Sequence, residues 1–66
     1  MTVMLNGEPT ETRGARTVAE LAERYGLHPN SILVEHNGTA LHKREWSERE
    51  LREKDRLEFI RVVAGG

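Results

Sequence analysis

The sequence predicts a two-layer α+β domain in which one amphipathic helix covers one face of a small mixed sheet. Three observations carry this prediction. A single helical apolar stripe occupies residues 17–26, short apolar runs flank it on both sides, and Asn6-Gly7 and Asn37-Gly38 punctuate those runs as turns. With 66 residues, the chain has room for one core and one domain, spanning residues 1–66. A chain of this size buries only about 60% of the surface that its unfolded form exposes.

Residues 2–6, Thr-Val-Met-Leu-Asn, begin as a short apolar strand. Asn6-Gly7 suits a type I′ hairpin turn, because both residues tolerate positive φ. Residues 9–13 then return as a polar strand whose Pro9 suits a sheet edge. Thr17 and Glu20 have the spacing of a capping box, in which the Thr hydroxyl accepts from the Glu20 amide while the Glu side chain reaches back. Val18, Leu21, Ala22 and Tyr25 follow at i, i+3, i+4 and i+7, a core-facing stripe, and Glu20, Glu23 and Arg24 lie off it. Gly26 stops the helix, with Pro29 just beyond.

Residues 31–36 read as the next strand, with a short return over residues 39–41. Ser47 and Glu50 repeat the capping-box spacing, and Trp46 and Leu51 stand at the hydrophobic-staple positions around it, which predicts one helical turn there. Residues 53–55 make a polar turn, and residues 56–63 form the final strand. Alternation points Leu57 and Phe59 one way and Glu58, Ile60 and Val62 the other. With Leu57 and Phe59 against the helix, Ile60 and Val62 lie on the open face. Met4 joins them when Val3 and Leu5 point inward, so Met4, Ile60 and Val62 are the candidate docking surface. The plainer reading is that scattered exposed apolar residues are ordinary.

Composition excludes several function classes. There is no Cys, hence no disulfide, thiolate metal site or thiol nucleophile. The formal net charge of −1 argues against nucleic acid as the main partner. No apolar run is long enough to span a bilayer and residues 1–3 show no signal-peptide pattern, so the expected compartment is the cytoplasm and no membrane partner is expected. His28, His36 and His42 share no zinc-ligand spacing and read as surface residues. The charged run over residues 43–56 reads as a solvated face with no catalytic residue in it. Arg13 and Arg16 with Arg24, or Arg61 beside the tail, are candidates for partner salt bridges that guide docking.

The chain closes on Val63-Ala64-Gly65-Gly66. From average glycine usage, a terminal Gly-Gly pair arises in about one chain in two hundred. Glycine threads narrow channels, and the one distinctive group on Gly66 is its α-carboxylate. Residues 63–66 are therefore expected to form a flexible tail whose terminal carboxylate is the working group. An inert terminus is the plainer reading.

Several segments together resemble the ThiS family of sulfur carrier proteins. They are Leu5-Asn6-Gly7, Thr17-Val18-Ala19-Glu20-Leu21, Val34-Glu35-His36-Asn37-Gly38, Arg44-Glu45-Trp46, Asp55-Arg56-Leu57-Glu58 and the tail Val62-Val63-Ala64-Gly65-Gly66. The resemblance runs nearly end to end. It implies a ubiquitin-like β-grasp fold and a carrier that is not itself an enzyme. A ThiF-like adenylyltransferase, using ATP and Mg²⁺, would activate the Gly66 carboxylate as an acyl-adenylate. Persulfide sulfur from a cysteine desulfurase would convert it to a thiocarboxylate, and a ThiG-like thiazole synthase would take the sulfur for thiamin. Gly66 is the sulfur-carrying residue in this reading, and Val63, Ala64 and Gly65 enter partner active sites. The chain itself binds no cofactor and no metal.

Two positions depart from the family pattern: Lys54-Asp55 stands where Gly-Asp is usual, and His42 where Pro is common. Related carriers for molybdopterin, cysteine or thio-sugar synthesis, a ubiquitin-like modifier joined through Gly66, and a binding module with an inert tail are the alternatives.

Overall fold

The computed structural model describes residues 1–62. The expectations for Val63, Ala64, Gly65 and Gly66, including the flexible tail, lie outside the described residues. Within them are β1 (Thr2–Leu5), β2 (Glu8–Glu11), α1 (Val18–Arg24), β3 (Ile32–His36), β4 (Thr39–Leu41) and β5 (Arg56–Arg61), with 3₁₀ turns at Pro29–Ser31 and Lys43–Glu45. The five strands form one sheet in the order β2-β1-β5-β3-β4. Only β1 and β5 run parallel; β2 on β1, β3 on β5 and β4 on β3 are antiparallel. One helix across one face of this mixed sheet is the ubiquitin-like β-grasp arrangement.

The core is the apolar stripe of α1 against the inward positions of the strands. Val18, Leu21 and Ala22 meet Val3, Ile32, Val34, Leu57 and Phe59 in one buried cluster, with Leu5 and Tyr25 packed against its rim. The helix begins where the sequence predicts. Thr17 Oγ1 accepts from the Glu20 N–H at 3.2 Å, and the Glu20 carboxylate takes the Arg16 N–H at 2.7 Å. At the other end Gly26 sits at φ +69°, and the Leu27 N–H returns to the Ala22 carbonyl at 2.9 Å, which satisfies one of the last helical acceptors.

The helical turn predicted at Ser47 is not where helix forms. The 3₁₀ turn lies at Lys43–Glu45, where the Glu45 carboxylate accepts the His42 N–H at 2.8 Å. That bond also explains His42 in place of proline: its φ of −74° is one a proline could adopt, but a proline has no N–H to give. The same hydrogen bond, opposed by a smaller desolvation effect, holds the Glu45 carboxyl below its ordinary value. Downstream, the backbone is committed to capping α1. The Val18 N–H donates to the Arg49 carbonyl and the Ala19 N–H to the Trp46 carbonyl, each at 3.0 Å, while the Leu51 N–H donates to the Arg16 carbonyl at 2.9 Å. These carbonyls are turned toward the first N–H groups of α1, and no helix forms at Ser47. Trp46 and Leu51 are both buried, but as plugs in the core and not as a staple on a helix.

His36, expected at the surface, is buried instead because strand alternation turns it inward after Ile32 and Val34. Its Nε2 meets Asp55 Oδ2 at 2.8 Å, and Asp55 also accepts from the Arg52 N–H at 2.8 Å and Asn37 Nδ2 at 3.1 Å. Burial opposes ionisation of Asp55, but these hydrogen bonds outweigh it and hold the carboxyl below its ordinary value. With the carboxylate ionised, the histidine nitrogen is the donor.

Two predictions follow from this turn. Lys54, the residue before Asp55, sits at φ +70°, a left-handed conformation that costs a non-glycine residue about 1 kcal/mol. Lys54→Gly is expected to raise unfolding stability by up to about that amount in urea melts, and a loss of stability would contradict the strain. For Asp55, the folded carboxyl holds its proton less tightly than the unfolded one, so its contribution is full above about pH 4 and is lost as pH falls through the folded value. Asp55→Asn should therefore be less stable than the parent at neutral pH and show a shallower loss of stability below about pH 4, with the two curves converging in acid. Parallel curves throughout would refute the linkage.

Candidate functional site

The open face of the sheet and the end of β5 form the site. β5 carries the chain toward the tail from the middle of the sheet, and its last sheet bond runs from the Val62 N–H to the Ser31 carbonyl at 2.8 Å. Three of the outward side chains near that exit are apolar. Leu33 on β3 lies directly opposite Ile60 on β5, and Leu33, Ile60 and Val62 are 58%, 42% and 46% exposed. Side chains directly opposite one another in an antiparallel pair stand about 5 Å apart, so Leu33 and Ile60 make one patch.

Met4 shares this face, because Val3 and Leu5 turn inward, but it is half-buried and pairs in register with Arg56. Arg56 is four residues before Ile60, about 13 Å along the strand. Met4 therefore lies apart from the patch, with the outward Glu58 between them. Leu33 belongs to the patch and is absent from the residues singled out by sequence. Alternation through Ile32, Leu33 and Val34 was the signal that could have found it.

The same face places Glu35 directly opposite Glu58. Neither carboxylate makes an ion pair among the described residues. With Gly38 and Arg56 they line a shallow cleft beside the apolar patch. A second cleft, at the start of α1, is lined by Met1, Arg16, Thr17, Glu20, Glu50 and Leu51. Two of its polar groups serve the start of α1: the Thr17 hydroxyl holds the Glu20 N–H and the Glu20 carboxylate holds the Arg16 N–H.

Of the arginines expected to guide a partner, two have internal work. The Arg13 guanidinium stacks 4.5 Å from the Tyr25 ring centroid, and Arg24 Nε donates to the Arg13 carbonyl at 3.2 Å. Arg16 and Arg61 make no ion pair among the described residues. Among the same residues there is no group of three side chains placed to hold a metal ion. No helix among them is long and apolar enough to cross a membrane. What the arrangement offers is a surface and an exit: an apolar patch beside an acidic cleft, at the foot of the segment that leads to Gly66.

Comparisons with known proteins agree with the fold. The crystal structure of a thiamine biosynthesis protein (ThiS) from Geobacter metallireducens is similar at TM-score 0.81 and 28% identity, covering 100% of both chains. A solution structure of a thiamine biosynthesis protein from the same organism is similar at TM-score 0.80 and 28% identity, covering 100% of this chain and 88% of that one. No curated protein matches significantly. The model of the ThiS family matches residues 3–66, nearly the whole sequence including the Gly-Gly pair. The chain belongs to the ThiS family.

Proposed function

We propose that this chain is a sulfur carrier of thiamin biosynthesis that delivers sulfur for the thiazole ring from its C-terminal Gly66. The observation that carries this reading is the family match, which extends through Gly65 and Gly66, together with neighbours described as thiamine biosynthesis proteins.

The chemistry follows from what a carboxylate lacks. It is a poor electrophile, and its oxygen is a poor leaving group. Attack of the Gly66 carboxylate on the α-phosphorus of ATP, with Mg²⁺ held by the partner adenylyltransferase, expels pyrophosphate and leaves an acyl-adenylate. The terminal sulfur of a persulfide, supplied through a cysteine desulfurase, attacks the acyl carbon and expels AMP. The resulting acyl disulfide takes two electrons from a thiol, which releases the thiocarboxylate and leaves the thiol sulfurs as a disulfide. Thiazole synthase then receives the sulfur. Every catalytic group in this sequence belongs to a partner. The carrier supplies an acyl carbon on a segment thin enough to enter each active site, with Val63, Ala64 and Gly65 as that segment.

The patch of Leu33, Ile60 and Val62 is the docking surface in this reading, with Met4 at most at its margin. Large exposed apolar side chains beside the exit give each partner a reason to bind where the tail begins.

Intact mass tests the carrier chemistry. Incubation with ATP, Mg²⁺, a ThiF-type adenylyltransferase and a persulfide source should add the mass of one oxygen-for-sulfur exchange, and deletion of Gly66 should abolish the gain. No gain with a demonstrably active enzyme would sink the reading; amide adducts on other proteins would identify a modifier instead. For the docking surface, Leu33→Asp should weaken association with the same adenylyltransferase at least tenfold, as expected for a buried anchor of about 1.4 kcal/mol or more. Its exposure predicts a stability change within about 0.5 kcal/mol. Unchanged affinity would remove Leu33 from the interface.

A further inference from the structure

Beside the apolar patch, the open face carries an arrangement that works against the fold. Glu35 on β3 stands directly opposite Glu58 on β5, and both side chains point outward, away from the buried positions that flank them. Opposite residues of an antiparallel pair hold their Cβ atoms about 5 Å apart, and like charges placed there are destabilising. Nothing among the described residues relieves the pair, because neither carboxylate makes an ion pair. Arg56 lines the same cleft, two residues before Glu58, but its guanidinium forms no ion pair with either of them.

The pair sits among groups that a partner can cover. Strand residues two apart are separated by about 7 Å, so Leu33 and Ile60 form the next row of the face toward the end of β5. On the other flank of Glu35 stands Ala40 on β4, exposed and too small to shield the carboxylate. Adjacent rows of one surface are therefore large and apolar, then doubly acidic.

We propose that an arginine on the surface of the adenylating enzyme seats between Glu35 and Glu58, while an apolar hollow beside that arginine receives Leu33 and Ile60. The proposal rests on the carrier reading and names the chemistry of the partner at the docking surface assigned there. Charge complementarity selects this occupant. A guanidinium presents five N–H donors in a planar fork, enough for one side chain to reach two carboxylates. Covering Leu33 and Ile60 removes water from the neighbouring row, and a carboxylate left unpaired there is costly, so the apolar contact and the ion pair require one another. A second copy of this chain fits poorly. An isologous contact sets the same patch on both subunits, which gathers four carboxylates at one interface. A nucleic acid or an anionic lipid surface meets the same repulsion. Among the described residues no third ligand joins the two carboxylates to hold a metal ion.

Glu35→Gln, Glu58→Gln and the double variant test the pairing, since each keeps the side-chain shape and removes charge. Affinity for a ThiF-type adenylyltransferase is measured at low and high salt, with urea melts of each free variant and sedimentation of the free parent chain. The expected result is binding weakened about tenfold or more by the double variant at low salt, with a shallower salt dependence than the parent. The urea midpoints of the single variants should stay level or rise, because each relieves a like-charge pair. A purely structural role for the carboxylates predicts the opposite, lower midpoints alongside weaker binding, and that outcome overturns the proposal. Parent-like binding by all three variants also overturns it, and leaves the carrier reading intact when Leu33→Asp still weakens the complex. A free chain that sediments as a dimer, dissociated by Leu33→Asp, makes a second copy the occupant and overturns it as well. No binding or mass gain by the parent with a demonstrably active enzyme removes the carrier reading and this proposal with it.

Discussion

Two asparagines hold the strand on which the function depends. β5 is the central strand, and each Asn-Gly turn of the chain grips it from one side. Asn6 bonds both backbone groups of Phe59 with its side-chain amide. Asn37 accepts the Arg56 N–H with its side chain at 2.8 Å and gives its own N–H to the Arg56 carbonyl at 2.8 Å. Both residues sit near φ +50°, the left-handed conformation that asparagine tolerates better than most side chains. One residue type thus turns the hairpin and finishes the pairing of its neighbour. Leucine or lysine at either position would supply no peptide-like group to the strand.

The consequence is that β5 is held from both sides along its length. Leu57 and Phe59 are anchored in the core, while Ile60, Arg61 and Val62 emerge with their side chains or backbone available. The apolar patch lies at that end of β5, and the cleft between Glu35 and Glu58 extends from it back toward Arg56. In the proposed function, a partner would bind this face of the sheet beside the segment that leads to Gly66. The single helix has no part in this surface. It supplies the buried face that allows so small a sheet to remain folded.

The capping of α1 shows how a local pattern can be redirected. Ser47 and Glu50 have the spacing of a helix start, and Trp46 and Leu51 the spacing of a staple. The chain instead spends the Trp46 and Arg49 carbonyls on the first N–H groups of α1. An unsatisfied helix end is costly, and the indole of Trp46 gains its burial in the same move. Its N–H has no acceptor among the described residues, so volume and not hydrogen bonding recommends it at that position.

Local chemistry was sufficient for the elements that need no distant partner. The stripe of Val18, Leu21 and Ala22, the Thr17 cap, the Gly26 stop and the two Asn-Gly turns were all legible in the sequence, because each is decided within one or two turns of chain. The inward alternation of Leu57 and Phe59 was legible for the same reason, and it located Ile60 and Val62 on the open face. Tertiary structure decided what depends on register between distant segments. Opposing Leu33 to Ile60, separating Met4 from both, burying His36 against Asp55 and converting the predicted turn at Ser47 into a cap for α1 all require pairings across tens of residues. No local spacing encodes such pairings, since the same side chain serves either face until a neighbouring strand fixes which one is covered.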